Sequence, residues 1–182
     1  FKVFEAGAKK LGYQDVHTGN MAINATEYDG RAACQQTGFC FQGCKCGAKW
    51  STAYTDIPQG EATGNLEVRE NSHAARIVHN DQGKVTGVEY YDADGNLQTQ
   101  MARIVSVAAN SIESPRLLLN SASEMFPDGL ANSSGQVGRN YMRHMTASVY
   151  ALFDQPVKMW RGTTMAGVIT DESRHDPSRG FV

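Results

Sequence analysis

The sequence predicts a mixed α/β fold, an α+β fragment with a β-meander and a buried strand leading into a Ser-Pro-capped helix. Three observations predict it. From Asn65 to Ala109 the apolar residues recur with period two, interrupted by turn signals. "RIVSVAA" (103–109) is then a nearly continuous apolar run, as in a strand buried on both faces. "NSIESPRLLLNSA" follows directly, with Ser114 placed as an N-cap, Pro115 where the first helical residue belongs, and Leu117, Leu118 and Leu119 to pack.

The elements follow in order. "FKVFEAGAKKLGY" spaces Phe1, Val3, Phe4, Ala8 and Leu11 along one helical face, and Gly12 ends it. Residues 14–31 are polar and turn-rich and read as loop. "AKWSTAYTDIPQ" predicts a short helix that stops before Pro58. "NLEVRE", "AARIVHND", "VTGVEYYD" and "LQTQMA" read as four strands. "DQGK" and the Asp94-Gly95 pair of "DADGN" supply turns. "FPDGLANSSGQVGRNYM" is loop, and "TASVYALF" is a further strand candidate. The last thirty residues carry no pattern that organises them.

Composition bounds the function. The chain has 182 residues, 41% hydrophobic and 20% charged, enough for one domain with its own core. A net charge of −2 argues against the clustered basic footprint of a nucleic-acid binder. No stretch approaches the roughly 18 apolar residues of a membrane span. The chain opens on Phe1 and stops at "SRGFV", which reads as an internal piece of a longer protein.

"RAACQQTGFCFQGCKCGAKWST" (31–52) holds Cys34, Cys40, Cys44 and Cys46, all the cysteines of the chain. Four thiols in one short loop admit four readings. Unrelated free cysteines are improbable at this density. Disulfides gain little inside one tight loop, and Cys44 and Cys46 are too close in sequence to pair comfortably. Zinc usually takes two CxxC-type pairs, which the spacing C-x5-C-x3-C-x-C does not provide. An iron–sulfur cluster takes several thiolates from a compact glycine-bearing loop. Gly38, Gly43 and Gly47 permit such a wrap, and Phe39, Phe41 and Trp50 are placed to keep water away. The spacing favours the cluster over zinc and leaves both open.

"VSVAANSIESPRLLLNSAS" resembles a sequence signature of the glucose–methanol–choline (GMC) flavoprotein oxidoreductases, in which a buried strand ends in Ala-Gly and continues Ala-Ile-x-Ser-Pro-x-Leu-Leu. Ala108, Ala109, Ile112, Glu113, Ser114, Pro115, Arg116, Leu117 and Leu118 fall in register with it. "GQVGRNYMRH" is similar to the family's Val-Gly-Arg-Asn-Leu-x-Asp-His segment. "NLEVRENSHAARIVHNDQGKVTGVEYYDADG" is similar to its Asn-Leu-x-Val strand and hairpin. The resemblance runs colinearly over about residues 1–150. Asn110 and Ala122 stand where the family has glycine, and Arg143 where it often has Asp.

The resemblance implies a partial FAD-binding domain over 1–150 that includes the cysteine loop, with 151–182 starting the sheet of a substrate domain. It implies FAD contacts at the backbone around Ala74 and at Ala108 and Ala109, where small side chains leave room. The loop resembles that of a subgroup of bacterial sugar and sugar-acid dehydrogenase flavoprotein subunits, similar to gluconate 2-dehydrogenase, whose C-x5-C-x3-C holds a three-iron cluster. Cys34, Cys40 and Cys44 match it, so a 3Fe-4S centre is expected rather than 4Fe-4S, with Cys46 surplus. No GxGxxG occurs in the chain, and the family's catalytic His–Asn or His–His pair is expected outside it. His144 reads as a polar loop residue.

The implied activity is FAD-dependent dehydrogenation of an alcohol group on a sugar, sugar acid or polyol. Electrons leave the flavin through the cluster to a cytochrome or quinone. The implied partners are a cytochrome c subunit and a small chaperone-like subunit, and the implied place is the periplasm, with membrane attachment through those partners. The alternatives are an ordinary GMC alcohol or choline dehydrogenase without a cluster, and a zinc-stapled binding module.

Overall fold

The computed structural model describes residues 1–158, 160–163, 167–173 and 177–178. They fall into two units, Val68–Tyr150 and Phe1–Glu67 with the described part of 151–182.

In the first of these units the meander forms as its periodicity predicts. Strands β2 (His73–His79), β3 (Val85–Tyr91) and β4 (Leu97–Met101) make one antiparallel sheet in the order β2-β3-β4. Each hairpin is closed by a side chain that imitates backbone. Asn80 Oδ1 accepts from the amides of Gln82 and Lys84, both at 3.0 Å. Asp92 Oδ1 accepts from those of Asp94 and Asn96 at 3.0 and 2.9 Å. Arg76 and Glu89 face each other across β2 and β3 with a 2.6 Å ion pair. Gly87 has to be glycine: a Cβ there would stand 2.3 Å from the Gln100 carbonyl oxygen of β4.

Helix α3 (Glu113–Asn120) is fastened to β2 through Ser121 at its C-terminal end. The Ser121 hydroxyl donates to the Leu117 carbonyl at 2.6 Å and accepts the Ile77 amide of β2 at 2.9 Å. Ser121 is 2% exposed, and Ile77 and Leu130 are the buried apolar residues of this unit. A second tie joins His79 to the loop after α3. Its Nδ1 lies 2.8 Å from the Asn80 carbonyl, so Nε2 takes the Ser123 hydroxyl proton, also at 2.8 Å. The ring meets Phe126 edge-on with centroids 5.0 Å apart.

In the other unit, α1 (Lys2–Lys10) carries a Glu5–Lys9 pair one turn apart. It ends in a Schellman motif: the Gly12 amide reaches the Lys9 carbonyl and the Tyr13 amide the Ala8 carbonyl. Two short strands, β1 (Val16–His17) and β5 (Val168–Ile169), pair antiparallel. Asp171 holds them in place, its carboxylate accepting the Gln14 and Asp15 amides at 2.8 Å each. Those two amides, Gln14 foremost, keep its acidity stronger than an ordinary Asp's.

Several expectations are corrected. Helix α2 is Asp56–Ala62 and contains Pro58 instead of stopping before it. Pro58 sits in the first turn, where its missing N–H has no partner to lose. Residues 14–31 are not all loop, since β1 lies among them. Residues 65–69 belong to no strand, and neither do 103–109, which include bends at 103 and 109. The second segment is not a buried strand here: Ile104 is 86% exposed, because no neighbouring strand flanks it among the described residues. "TASVYALF" likewise forms no strand, and Leu152 is fully exposed. Helix α3 begins at Glu113, one residue before the expected cap. The side chain that caps it is Asn110, whose Oδ1 accepts the Ile112 and Glu113 amides at 2.8 Å. Ser114 Oγ instead accepts the amides of Ala109 and Asn110. Part of 151–182, with His175, lies outside the described residues.

Ser121→Ala leaves the Ile77 amide buried without an acceptor. It should lower the unfolding free energy in denaturant by about 1–3 kcal/mol. A loss under about 0.5 kcal/mol would show that the β2–α3 fastening lies elsewhere.

Candidate functional site

The cysteine loop is closed by a short backbone pairing. Ile23 and Lys49 form an antiparallel bridge. The Trp50 amide donates to the Ala22 carbonyl at 2.7 Å and the Asn24 amide to the Ala48 carbonyl at 2.9 Å. The Cys34 amide then donates to the Asn24 carbonyl, 2.9 Å. Both ends of the loop are thus fastened to the same three residues. Arg31 reinforces the closure from inside. Its Nη1 donates to the Gly47 carbonyl at 3.0 Å and more loosely to the Ala48 carbonyl, while its Nη2 faces Asn24 Oδ1. Its Nε is buried without a partner among the described residues.

The far side of the loop rests on residues 160–162. Thr37 bridges Gly162, and the Gly162 amide donates to the Gln36 carbonyl at 3.2 Å. Gly38 lies so close to this segment that a Cβ would fall 2.1 Å from the Trp160 carbonyl oxygen, and its φ of +76° is one that other residues rarely adopt.

Cys34, Cys40, Cys44 and Cys46 all line one narrow pocket, whose cavity volume is about 10 Å³. All four are half-buried free thiols. Cys44 and Cys46 have their sulfurs 3.7 Å apart. The Lys49 amide donates to Cys44 Sγ, and the Gln36 amide to Cys34 Sγ, both at 3.4 Å. Cys44 is more acidic than an ordinary thiol. The largest cause is the Lys49 amide; burial opposes it, and the Cys46 thiol then adds to the lowering. Among the described residues no three His, Cys, Asp or Glu side chains stand close enough to hold one metal ion as they are. The donor set suits a thiophilic group in kind: four sulfurs and amides aimed at two of them, around one pocket. The sulfurs have to draw inward to share it.

The aromatic shield expected around the loop is corrected. Phe39, Phe41 and Trp50 are 56%, 81% and 46% exposed, because the turns at 38–43 carry the loop tip outward with no further layer of described chain over it.

The residues expected to meet FAD lie in the Val68–Tyr150 unit. Ala74 is in β2 opposite Tyr90, beside a register shift between Ala74 and Arg76. Ala108 and Ala109 are exposed, just before α3. Between them and the helix stands Asn110 at φ +139°, the position where the family signature has glycine. An open groove runs along α3, lined among others by Ile112, Pro115, Arg116, Arg139 and Tyr141. His144 is exposed on a segment outside any helix or strand.

Two site residues escaped the sequence reading: Arg31 and Lys49. The only signal was a basic residue at either end of the cysteine run, and charge alone does not tell a loop clamp from a solvated side chain.

The meander and the Ser-Pro helix after it are the elements that carry the GMC resemblance, with Asn110 in place of the signature glycine. The GMC oxidoreductase family model matches residues 1–146, and the chain belongs to that family, whose matched domain binds FAD. It is 30% identical over 170 residues to the fructose dehydrogenase large subunit of Gluconobacter japonicus, covering 93% of this chain and 31% of that protein. To the 2-methyl-1,2-propanediol dehydrogenase of Mycolicibacterium austroafricanum it is 35% identical over 165 residues, 88% of this chain and 29% of the relative. To the gluconate 2-dehydrogenase flavoprotein of Pantoea cypripedii it is 27% identical over 183 residues, 96% and 30%. The chain therefore spans under a third of the length of these relatives.

In metal-free protein, the alkylation of Cys44 by iodoacetamide, followed by mass spectrometry, should reach half its maximal rate below the usual thiol pKa of about 8.5. A midpoint at or above that value would mean that the Lys49 amide does not stabilise the thiolate.

Proposed function

We propose that this chain is part of an FAD-dependent dehydrogenase that oxidises an alcohol group of a sugar, sugar acid or polyol and passes electrons through an iron–sulfur centre in the cysteine loop to a cytochrome or quinone. One observation carries the reading beyond the family: the four thiols of the loop line a single pocket. The names of the fructose dehydrogenase and gluconate 2-dehydrogenase relatives support the substrate class. When bound, FAD accepts hydride from the alcohol carbon, and an iron–sulfur centre supplies a one-electron exit from the flavin.

The chain's own residues have definite parts in this reading. Cys34, Cys40 and Cys44 hold the centre, three thiolates for a three-iron cluster. The Lys49 amide steadies the Cys44 sulfur, and Arg31 fixes the loop's end by its grip on Gly47 and Ala48. Backbone around Ala74, and the small side chains of Ala108 and Ala109, form part of the FAD wall within residues 1–150, with 151–182 opening the substrate domain. The catalytic base is not among these residues. A cytochrome c subunit, a small chaperone-like subunit and a periplasmic, partner-tethered location complete the proposal. The words "large subunit" in the fructose dehydrogenase name support only that this relative has a further subunit.

One distance favours a second reading. Two thiolates on one tetrahedral ion with bonds of about 2.3 Å stand about 3.8 Å apart, close to the Cys44–Cys46 separation. A zinc held by that pair is the rival, and a GMC dehydrogenase with bare thiols is the other.

Full-length protein purified without air should contain FAD together with iron and acid-labile sulfide. Cys34→Ser, Cys40→Ser and Cys44→Ser should each lose most of the sulfide while keeping the flavin. Stoichiometric zinc without sulfide would establish the zinc reading, and neither metal would leave a cluster-free flavoprotein.

A further inference from the structure

We infer that Lys49 is a positioning residue whose ammonium holds the thiol loop closed and raises the reduction potential of the centre bound there. The inference rests on the iron–sulfur reading and goes beyond its ligand set. Lys49 touches the loop in three ways. Its amide donates to Cys44 Sγ at 3.4 Å. Its Nζ donates to the Cys40 carbonyl at 2.8 Å, nine residues back along the chain. The same Nζ stands 5.6 Å from the centroid of the Phe41 ring. Its own backbone is fixed by the bridge to Ile23. One residue therefore ties the carbonyl of one expected ligand to the sulfur of another, and it lines the pocket between them.

The charge matters as well as the grip. Lys49 is half-buried, and no carboxylate pairs with it among the described residues. Among the described residues its positive charge thus has no carboxylate partner, and it sits on the Cys40 carbonyl. Of the other nearby cations, Arg31 is held on the Gly47 and Ala48 carbonyls at the loop's end and touches none of the three expected ligands, and Lys45 is exposed. A centre ligated by thiolates gains negative charge on reduction. A partly desolvated cation beside it stabilises the reduced state more than the oxidised one. Hydrogen bonding to the sulfurs and net charge are the terms that set such potentials.

The test separates the grip from the charge. Lys49→Met keeps the amide, and with it the hydrogen bond to Cys44, but removes the ammonium at similar length. Lys49→Arg keeps the charge. In the full-length protein, iron and sulfide are assayed first and the centre is then titrated potentiometrically by electron paramagnetic resonance. Lys49→Met should keep its sulfide and lower the equilibrium constant for reduction about tenfold, or 59 mV for one electron. Lys49→Arg should stay close to the parent.

An unchanged potential in Lys49→Met, with sulfide intact, overturns the inference and leaves the iron–sulfur reading standing. If Lys49→Met loses its sulfide, Lys49→Gln and Lys49→Arg decide. Retention in Lys49→Arg alone supports the cationic clamp, and loss in all three overturns it. A parent protein without sulfide defeats the iron–sulfur reading itself, and this inference with it.

Discussion

The pairing of residues 22–24 with 48–50 is the constraint on which the thiol site depends. Thirteen residues bearing four cysteines have no reason of their own to converge, since no helix or ladder organises them from within. Fastening both ends to one short extended segment shortens the loop to be closed and lowers its entropy cost. The hydrogen bonds that do this are ordinary backbone bonds of 2.7–2.9 Å. Their effect is large because they place Lys49 where its amide meets one sulfur and its ammonium meets the loop from the other side. Arg31 then fills the inside of the turn with a guanidinium aimed at carbonyls, which a lysine's single point of charge would not span as well.

The Val68–Tyr150 unit is built on different terms. Its meander is locally self-sufficient, because two Asx-type turns set the hairpins and a cross-strand ion pair aligns β2 with β3. Its attachment to α3 rests on one hydroxyl that serves as donor and acceptor at once. The segments that carry the family signature, 103–110 and 138–144, are by contrast exposed or only half-buried. Apolar sequence with free ladder positions is strand waiting for neighbours.

What could be read from the sequence follows the range of the interactions involved. The helix α1 and the strands β2, β3 and β4 were legible because their causes lie within a few residues: a face of apolar side chains, an Asp-Gly turn, alternation. The pairing of β1 with β5 was not, for it joins residues some 150 positions apart and depends on the Asp171 carboxylate. Pro58 misled through a rule that holds only inside a helix. The strand pattern of 103–109 misled differently, since periodicity reports what a segment would bury and says nothing about whether its neighbours are at hand. At the site, spacing singled out Cys34, Cys40, Cys44 and Cys46. The two basic residues that arrange them were illegible, because a hydrogen bond to a carbonyl leaves no trace in composition.

The arrangement of sulfurs also bears on what the loop can hold. Cys34, Cys40 and Cys44 carry the C-x5-C-x3-C spacing along the chain, while the Cys44 and Cys46 sulfurs, less than 4 Å apart, suit a single tetrahedral ion. A cluster on the first three and an ion on the last two would both use Cys44, whose thiol the Lys49 amide makes more acidic than usual, so the two occupants exclude each other at that sulfur. Which one wins is then a matter of what the other positions offer. Zinc at the pair needs two further donors, and among the described residues no third ligand stands ready. A cluster on Cys34, Cys40 and Cys44 would likewise need its sulfurs to draw inward, so for either occupant the loop, closed at its base and glycine-jointed at its tip, has to tighten around what it holds.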